Sequence, residues 1–135
     1  MALSRDRRVL ASLLLVFVFC DFLLSPLGFE TRGSAILGSA SSRPWLVLLF
    51  GGLILNIVSL IIVFSRPRPA AVLSSVGSLG YIALALADQA GLVTPLRPPA
   101  AISAVEVVTT LVLLGVIVIS SRIYRETSPQ VLGSS

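Results

Sequence analysis

"WLVLLFGGLILNIVSLIIVF", from Trp45 to Phe64, is the stretch that decides the fold class of this chain. It contains no charged side chain, it opens with a tryptophan, and Arg66 and Arg68 follow its end. A helix of about twenty apolar residues rises about 30 Å, which matches the hydrocarbon core of a bilayer. Tryptophan and arginine are typical of the interfaces where a spanning helix leaves the lipid. The stretch therefore predicts a transmembrane helix.

The composition of the whole chain agrees with a membrane protein. Hydrophobic residues make up 56% of the 135 residues and charged residues only 12%, and the mean hydropathy is +1.02. Soluble domains carry about 25% charged residues, so this chain is too apolar to belong with them. Its length has room for about four spanning helices and for no sizeable soluble domain.

Three further apolar stretches complete the prediction of an all-α membrane protein. A lone strand cannot satisfy its backbone hydrogen bonds in lipid, so each stretch is interpreted as a helix. The sequence predicts one integral membrane domain over residues 1–135, with an outer loop at 29–44 and a flexible tail at 126–135. The predicted helices are 9–28, 45–64, 70–93 and 100–120.

The apolar stretch nearest the N-terminus, residues 9–28, has a second interpretation as part of a secretory signal peptide that is cut after Ala40. Basic residues precede its apolar run, and small residues follow it. The apolar part of a signal peptide has about 7 to 15 residues, whereas this run continues to Gly28. We therefore expect a retained first helix.

The connections and the arginines predict how the helices are threaded. The second and third connections are short and rich in proline, so neighbouring helices are expected to form an up-down-up-down antiparallel bundle. With the N-terminus in the cytoplasm, seven arginines lie on that side and three on the other. The positive-inside rule therefore places both termini in the cytoplasm of a cell-membrane protein.

Three acidic residues interrupt the apolar stretches: Asp21, Asp88 and Glu106. In the predicted threading, all three lie about 8 to 11 Å below the outer boundary of the membrane. A charged carboxylate at this depth is costly, which makes a binding site for a cation or a proton a reasonable hypothesis. The alternative is structural, in which the acids join helices or pair with the counter-charges Arg32, Arg43 and Arg97.

Other polar residues within the helices are candidates for interhelical contacts. Asn56 and Tyr81 are both predicted near the midplane, where one could bond to the other. Small residues at four-residue spacing predict a closely packed face on the third helix, at Ala83, Ala87 and Gly91. Hydroxyl groups in helices usually bond to the preceding turn. The full set of interhelical candidates is Asn56, Tyr81, Ser25 and Thr110.

The sequence offers no catalytic motif. Histidine is absent and Cys20 is the single cysteine, so a disulfide, a zinc site and a histidine-ligated haem are not predicted. No Gly-rich phosphate loop or catalytic triad is present either. We therefore expect no enzyme activity, no cofactor and no metal, and the arginines at helix ends do not indicate nucleic-acid binding.

Two functions from different classes remain. The first is a structural or accessory subunit that assembles in the bilayer with other membrane subunits or with copies of itself. The alternative is a small transporter, coupled to a proton or a cation, that uses the intramembrane carboxylates.

Overall fold

The computed structural model describes residues 2–38, 40 and 43–128, and it contains four helices and no strand in that part of the chain. All four helices are long and apolar enough to span a membrane. This confirms the prediction of four helices long and apolar enough to span a membrane, with no strand among the described residues. The helices are α1 (Ala2–Leu37), α2 (Arg43–Ile62), α3 (Pro67–Gln89) and α4 (Ala100–Thr127).

The helix ends differ from those read from the sequence, and most at α1. The apolar run ends near Gly28, but the helix continues to Leu37 and includes much of the predicted outer loop 29–44. Hydropathy marks where a helix leaves lipid, whereas the backbone can stay helical in water. For the same reason α4 continues past residue 120 to Thr127. Residues 129–135 of the predicted tail lie outside the described residues.

The connection between α2 and α3 is short because the sequence stops one helix and starts the next within a few residues. The backbone N–H groups of Ser65 and Arg66 both donate to the carbonyl oxygen of Ile62, at 3.1 and 2.7 Å. Pro67 then opens α3, where its missing N–H costs no helical hydrogen bond. The two helices are thereby held side by side.

Each helix packs against two others. Contacts join α1 to α2, α2 to α3, α3 to α4 and α4 back to α1, with the α1–α2 contact the least extensive. The helices therefore surround a common core in chain order. A helix that packs against two others also turns one face outward, where many large apolar side chains are exposed, including Phe19, Phe22 and Ile61. Exposure of such side chains is what a lipid-facing surface requires.

An apolar cluster closes one end of the bundle, and we call it the end cluster. It joins the first part of α1, the last turn of α2, the start of α3 and the second half of α4. Most of its members are completely buried, so the core is closely packed at this end. The buried members are Leu10, Ala11, Leu14, Val63, Ala70, Ala71, Val116 and Ile123.

A second apolar cluster, formed by Phe17, Tyr81 and Leu113, occupies the middle of the bundle. The rings of Phe17 and Tyr81 meet edge to face, with their centroids 5.0 Å apart and an interplanar angle of 88°. This arrangement is favourable for aromatic pairs. It joins α1 to α3 across the core and fixes the direction in which the Tyr81 hydroxyl points.

Helices α2 and α3 approach closely at two glycines, Gly52 and Gly77. A Cβ on Gly52 would lie 2.9 Å from the carbonyl oxygen of Gly77, and a Cβ on Gly77 would lie 2.9 Å from that of Gly52. Only glycine permits this backbone separation. Of the small-residue face predicted for α3, Ala87 is buried, whereas Ala83 and Gly91 are exposed. The close contact of α3 with α2 lies at Gly77 instead.

Serine side chains add polar contacts between the helices near the end cluster. The Ser59 hydroxyl donates to the carbonyl oxygen of Ala70 at 2.8 Å. The hydroxyls of Ser74 and Ser120 are 2.8 Å apart and join α3 to α4. All three serines are fully buried, so these bonds satisfy polar groups that would otherwise be costly in an apolar core.

Candidate functional site: an acidic cleft between the helices

The three acids predicted from the sequence line one cleft, which we call the acidic cleft. Asp21 reaches it from α1, Asp88 from α3 and Glu106 from α4, while α2 contributes apolar side chains. The cleft has a volume of about 100 Å³. That volume is enough for several water molecules or for a small ligand. Its remaining lining is Leu24, Ser25, Trp45, Leu46, Leu49, Tyr81, Leu84, Ala85, Val93 and Ile102.

Asp21 is the most deeply buried of the three acids. Only 2% of its surface is exposed. The Tyr81 hydroxyl donates to its Oδ1 atom at 2.8 Å, and the Phe17 ring contact holds Tyr81 in that orientation. Asp21 lies one helical turn beyond Phe17 on α1, so both side chains face the core. One carboxylate is therefore fixed at the inner wall of the cleft.

Asp88 is positioned by the end of α3. The backbone N–H of Gly91 donates to the Asp88 carbonyl oxygen at 3.0 Å, and that of Leu92 donates to Ala87 at 2.9 Å. Gly91 has a φ of +73°, the left-handed conformation that ends a helix with this pair of bonds. The turn brings Val93 back to the cleft, where it is buried. Asp88 itself is 6% exposed.

Glu106 lies near the start of α4 and is partly exposed. The side-chain amide of Gln89 donates to Glu106 Oε2 and also to the Ser103 hydroxyl, the latter at 3.2 Å. Gln89 directly follows Asp88 at the end of α3. These bonds therefore join the acidic part of α3 to that of α4 at the mouth of the cleft.

The rest of the wall is mainly apolar. Trp45, Leu46 and Leu49 come from α2, and Leu84 and Ile102 face them from α3 and α4. Ligand sites of this kind combine an apolar wall with a few polar groups that fix the orientation of the ligand. The acidic cleft has that composition, with carboxylates as its polar groups.

No group of three or more His, Cys, Asp or Glu side chains lies close enough to hold a metal ion within the residues that the structure describes. Of the predicted counter-charges, Arg43 and Arg97 are exposed, and neither makes an ion pair in the described part of the chain. The side chain of Arg32 lies outside it.

The other predicted polar residues have separate positions. Ser25 lines the cleft, as does Tyr81, whereas Thr110 is half-buried on α4 and Asn56 is fully buried away from the cleft. Asn56 does not bond to Tyr81, although their similar depth suggested it. Its amide donates to the Gly52 carbonyl oxygen at 2.9 Å, and its Oδ1 accepts from Ser78 at 3.5 Å.

Two residues of the cleft region were not singled out as site residues by sequence reasoning. Gln89 could have been found as the polar neighbour of Asp88 at the outer end of the predicted third helix. Trp45 was interpreted only as an interfacial anchor, although its position at the outer end of the predicted second helix places it at the level of the acids.

Comparisons of the chain with protein-family models, with curated proteins and with solved structures find no match. The function must therefore be inferred from the geometry of its own residues.

Proposed function

We propose that the chain is a small integral membrane carrier that binds a proton or a cation at Asp21, Asp88 and Glu106. The observation that carries the proposal is that carboxylates from three different helices line one cleft. The depths of the three acids in the membrane, counted along the predicted helices, did not determine whether their side chains point toward one another. A binding site requires its acidic side chains to share one cleft. Separate structural pairs of side chains do not require this.

The energetics of buried acids support this function. A charged acidic side chain inside a membrane costs about 2.5 to 3.5 kcal/mol even on insertion scales. Such a cost is offset when a positive charge or a proton occupies the site. The Tyr81–Asp21 bond joins α1 to α3 and the Gln89–Glu106 bond joins α3 to α4, and the acids that make these bonds share one cleft with Asp88.

The threading supports access from one side of the membrane. The end cluster contains the start of α1 with the end of α2, and the start of α3 with the end of α4, which is the pattern of an up-down-up-down bundle. Seven arginines lie at the same end of the bundle as the end cluster. The positive-inside rule then places this end and both termini in the cytoplasm. The residues that line the acidic cleft belong to the opposite end of the bundle, which faces outward in this threading.

The lining also indicates the kind of cation. A strongly hydrated metal ion would need several oxygen ligands to replace its water, and the described residues form no such cluster. Trp45, Tyr81 and the leucines instead suit a cation that carries apolar surface, because aromatic faces attract organic cations. We therefore favour a proton or an organic cation over a metal ion.

The competing function is assembly with other membrane subunits or with further copies of the chain. In that case the acids would only hold helices together, and their neutralisation would affect folding or co-purification. Transport activity and assembly state are separate measurements, so the two functions can be distinguished.

The test is flux in proteoliposomes containing the full chain and an imposed proton gradient, with a fluorescent organic cation as the probe. We expect D21N, D88N and E106Q each to reduce flux at least tenfold. D6N and E126Q are matched controls, because they neutralise acids outside the cleft and should retain wild-type flux. The proposal would be contradicted if D6N and E126Q lost as much flux as the cleft variants. It would also be contradicted if the wild-type protein moved neither protons, followed with a pH-sensitive dye, nor the fluorescent cation.

A further inference from the structure

The end of the bundle opposite the acidic cleft carries a groove that no part of the proposed transport function uses. It lies between the start of α3 and the end of α4, and we call it the basic groove. It is lined by Arg68, Pro69, Val72, Leu73 and Tyr124. Its residues change in character along α3, from a cation at the helix end to apolar side chains one turn deeper.

Arg68 and Tyr124 form the polar head of the groove. The Arg68 guanidinium lies over the Tyr124 ring, 4.9 Å from its centroid, and Nη2 donates to the Tyr124 hydroxyl at 3.3 Å. Arginine has five N–H donors, so most of them stay available. Arg68 makes no ion pair with any residue in the described part of the chain. Its charge is thus positioned by an aromatic ring without being neutralised.

The apolar part of the groove follows directly. Val72 lies one helical turn from Arg68, about 6 Å further into the bilayer, and 45% of its surface is exposed. Leu73 is partly exposed beside it. Because α3 and α4 are long and apolar enough to span a membrane, a lipid acyl chain is suited to cover these side chains.

The charge of this end selects among lipids. Seven arginines lie at the same end as the groove, with only Asp6 and Glu126 as acids among the described residues there. Arg66, Arg122 and Arg125 are all exposed. Each basic residue near the surface contributes about 1 kcal/mol to attraction of an anionic leaflet, an attraction that a zwitterionic headgroup does not provide.

We propose that the basic groove binds one anionic phospholipid, with its phosphate at Arg68 and an acyl chain along Val72 and Leu73. Planar guanidinium groups hold phosphate through paired hydrogen bonds, and tyrosine is enriched at the membrane–water interface. The proposal does not depend on transport, since the basic groove and the acidic cleft lie at opposite ends of the bundle.

The test is native mass spectrometry of the full chain in mild detergent, titrated with phosphatidylglycerol or with phosphatidylcholine. We expect one phosphatidylglycerol to be retained preferentially, with R68Q weakening its binding about fivefold. R68K should weaken binding less than R68Q, because lysine keeps the charge but not the paired hydrogen bonds of the guanidinium. R122Q is the matched control, because it removes one exposed charge from the same end outside the groove. Binding by R122Q should weaken clearly less than binding by R68Q, because Arg122 attracts the phosphate only from a distance, whereas Arg68 lines the groove.

A second pair of variants tests the apolar part without changing charge. V72W fills the groove and should weaken phosphatidylglycerol binding, whereas V76W, one turn further along the exposed face, should not. The comparison of V72W with V76W tests lipid binding in the basic groove even if R68Q does not fold. Equal losses in R68Q and R122Q, equal retention of the two lipids, or displacement by inorganic phosphate would overturn the proposal.

Discussion

Asp21 and Tyr81 are joined by a single hydrogen bond between helices that lie across the core from one another. The hydroxyl is held in position by the edge-to-face contact with Phe17. An acid that looks isolated in the sequence is therefore one half of a pair. At the residue scale, the inner wall of the acidic cleft depends on three side chains from two helices.

Removing the hydroxyl tests this pair. Y81F keeps the ring contact, and we expect the free energy of unfolding to fall by about 0.6 kcal/mol, the average for interhelical hydrogen bonds in a membrane protein, and by at most about 1.7 kcal/mol. In a D21L background, the same change should cost almost nothing. Unfolding of the four variants by sodium dodecyl sulfate in mixed micelles measures the coupling. Additive losses would show that the two side chains do not interact.

The contact between Gly52 and Gly77 makes a second prediction at this scale. G77A places a Cβ against a backbone oxygen and against the Leu55 side chain, so we expect a loss of about 1 to 3 kcal/mol. G51A is the matched control, because a Cβ there meets nothing within 4 Å. The same unfolding assay measures both. A loss in G51A as large as that in G77A would mean that close packing is not the cause.

At the scale of the elements, hydropathy was enough to find all four helices. A spanning helix must be long and apolar, and both properties are visible in a sequence. The end of α1 at Leu37 was not visible in the same way, because nothing in the apolar pattern continues beyond Gly28. Elements are thus better predicted inside the bilayer than outside it.

Depth and direction differ in how well they can be predicted. The shared level of Asp21, Asp88 and Glu106 followed from counting residues along helices, since each residue advances the helix by about 1.5 Å. Their shared cleft did not follow, because it depends on how each helix is rotated and on which helices are neighbours. Which small residues form the close helix contact, Gly52 and Gly77 instead of Ala83 and Gly91, depends on the rotation of each helix in the same way.

At the scale of the whole molecule, the proposed topology can be tested by cysteine labelling. In a C20A background, A40C and L96C occupy exposed positions after α1 and after α3, while S65C is exposed between α2 and α3. A membrane-impermeant maleimide applied to intact cells should label the first two, and S65C only after permeabilisation. Labelling of A40C and L96C from opposite sides would contradict the alternating threading.

The depth of Asp21 has an electrical consequence. In the proposed topology, a cation that travels from the outer solution to this residue crosses about a third of the hydrocarbon thickness. The full membrane potential is worth about 2.3 kcal/mol per elementary charge for each 100 mV, so a third of it changes affinity about three- to fourfold. A negative interior would therefore strengthen binding. Occupancy of the cleft would report the voltage across the membrane as well as the concentration of the ligand.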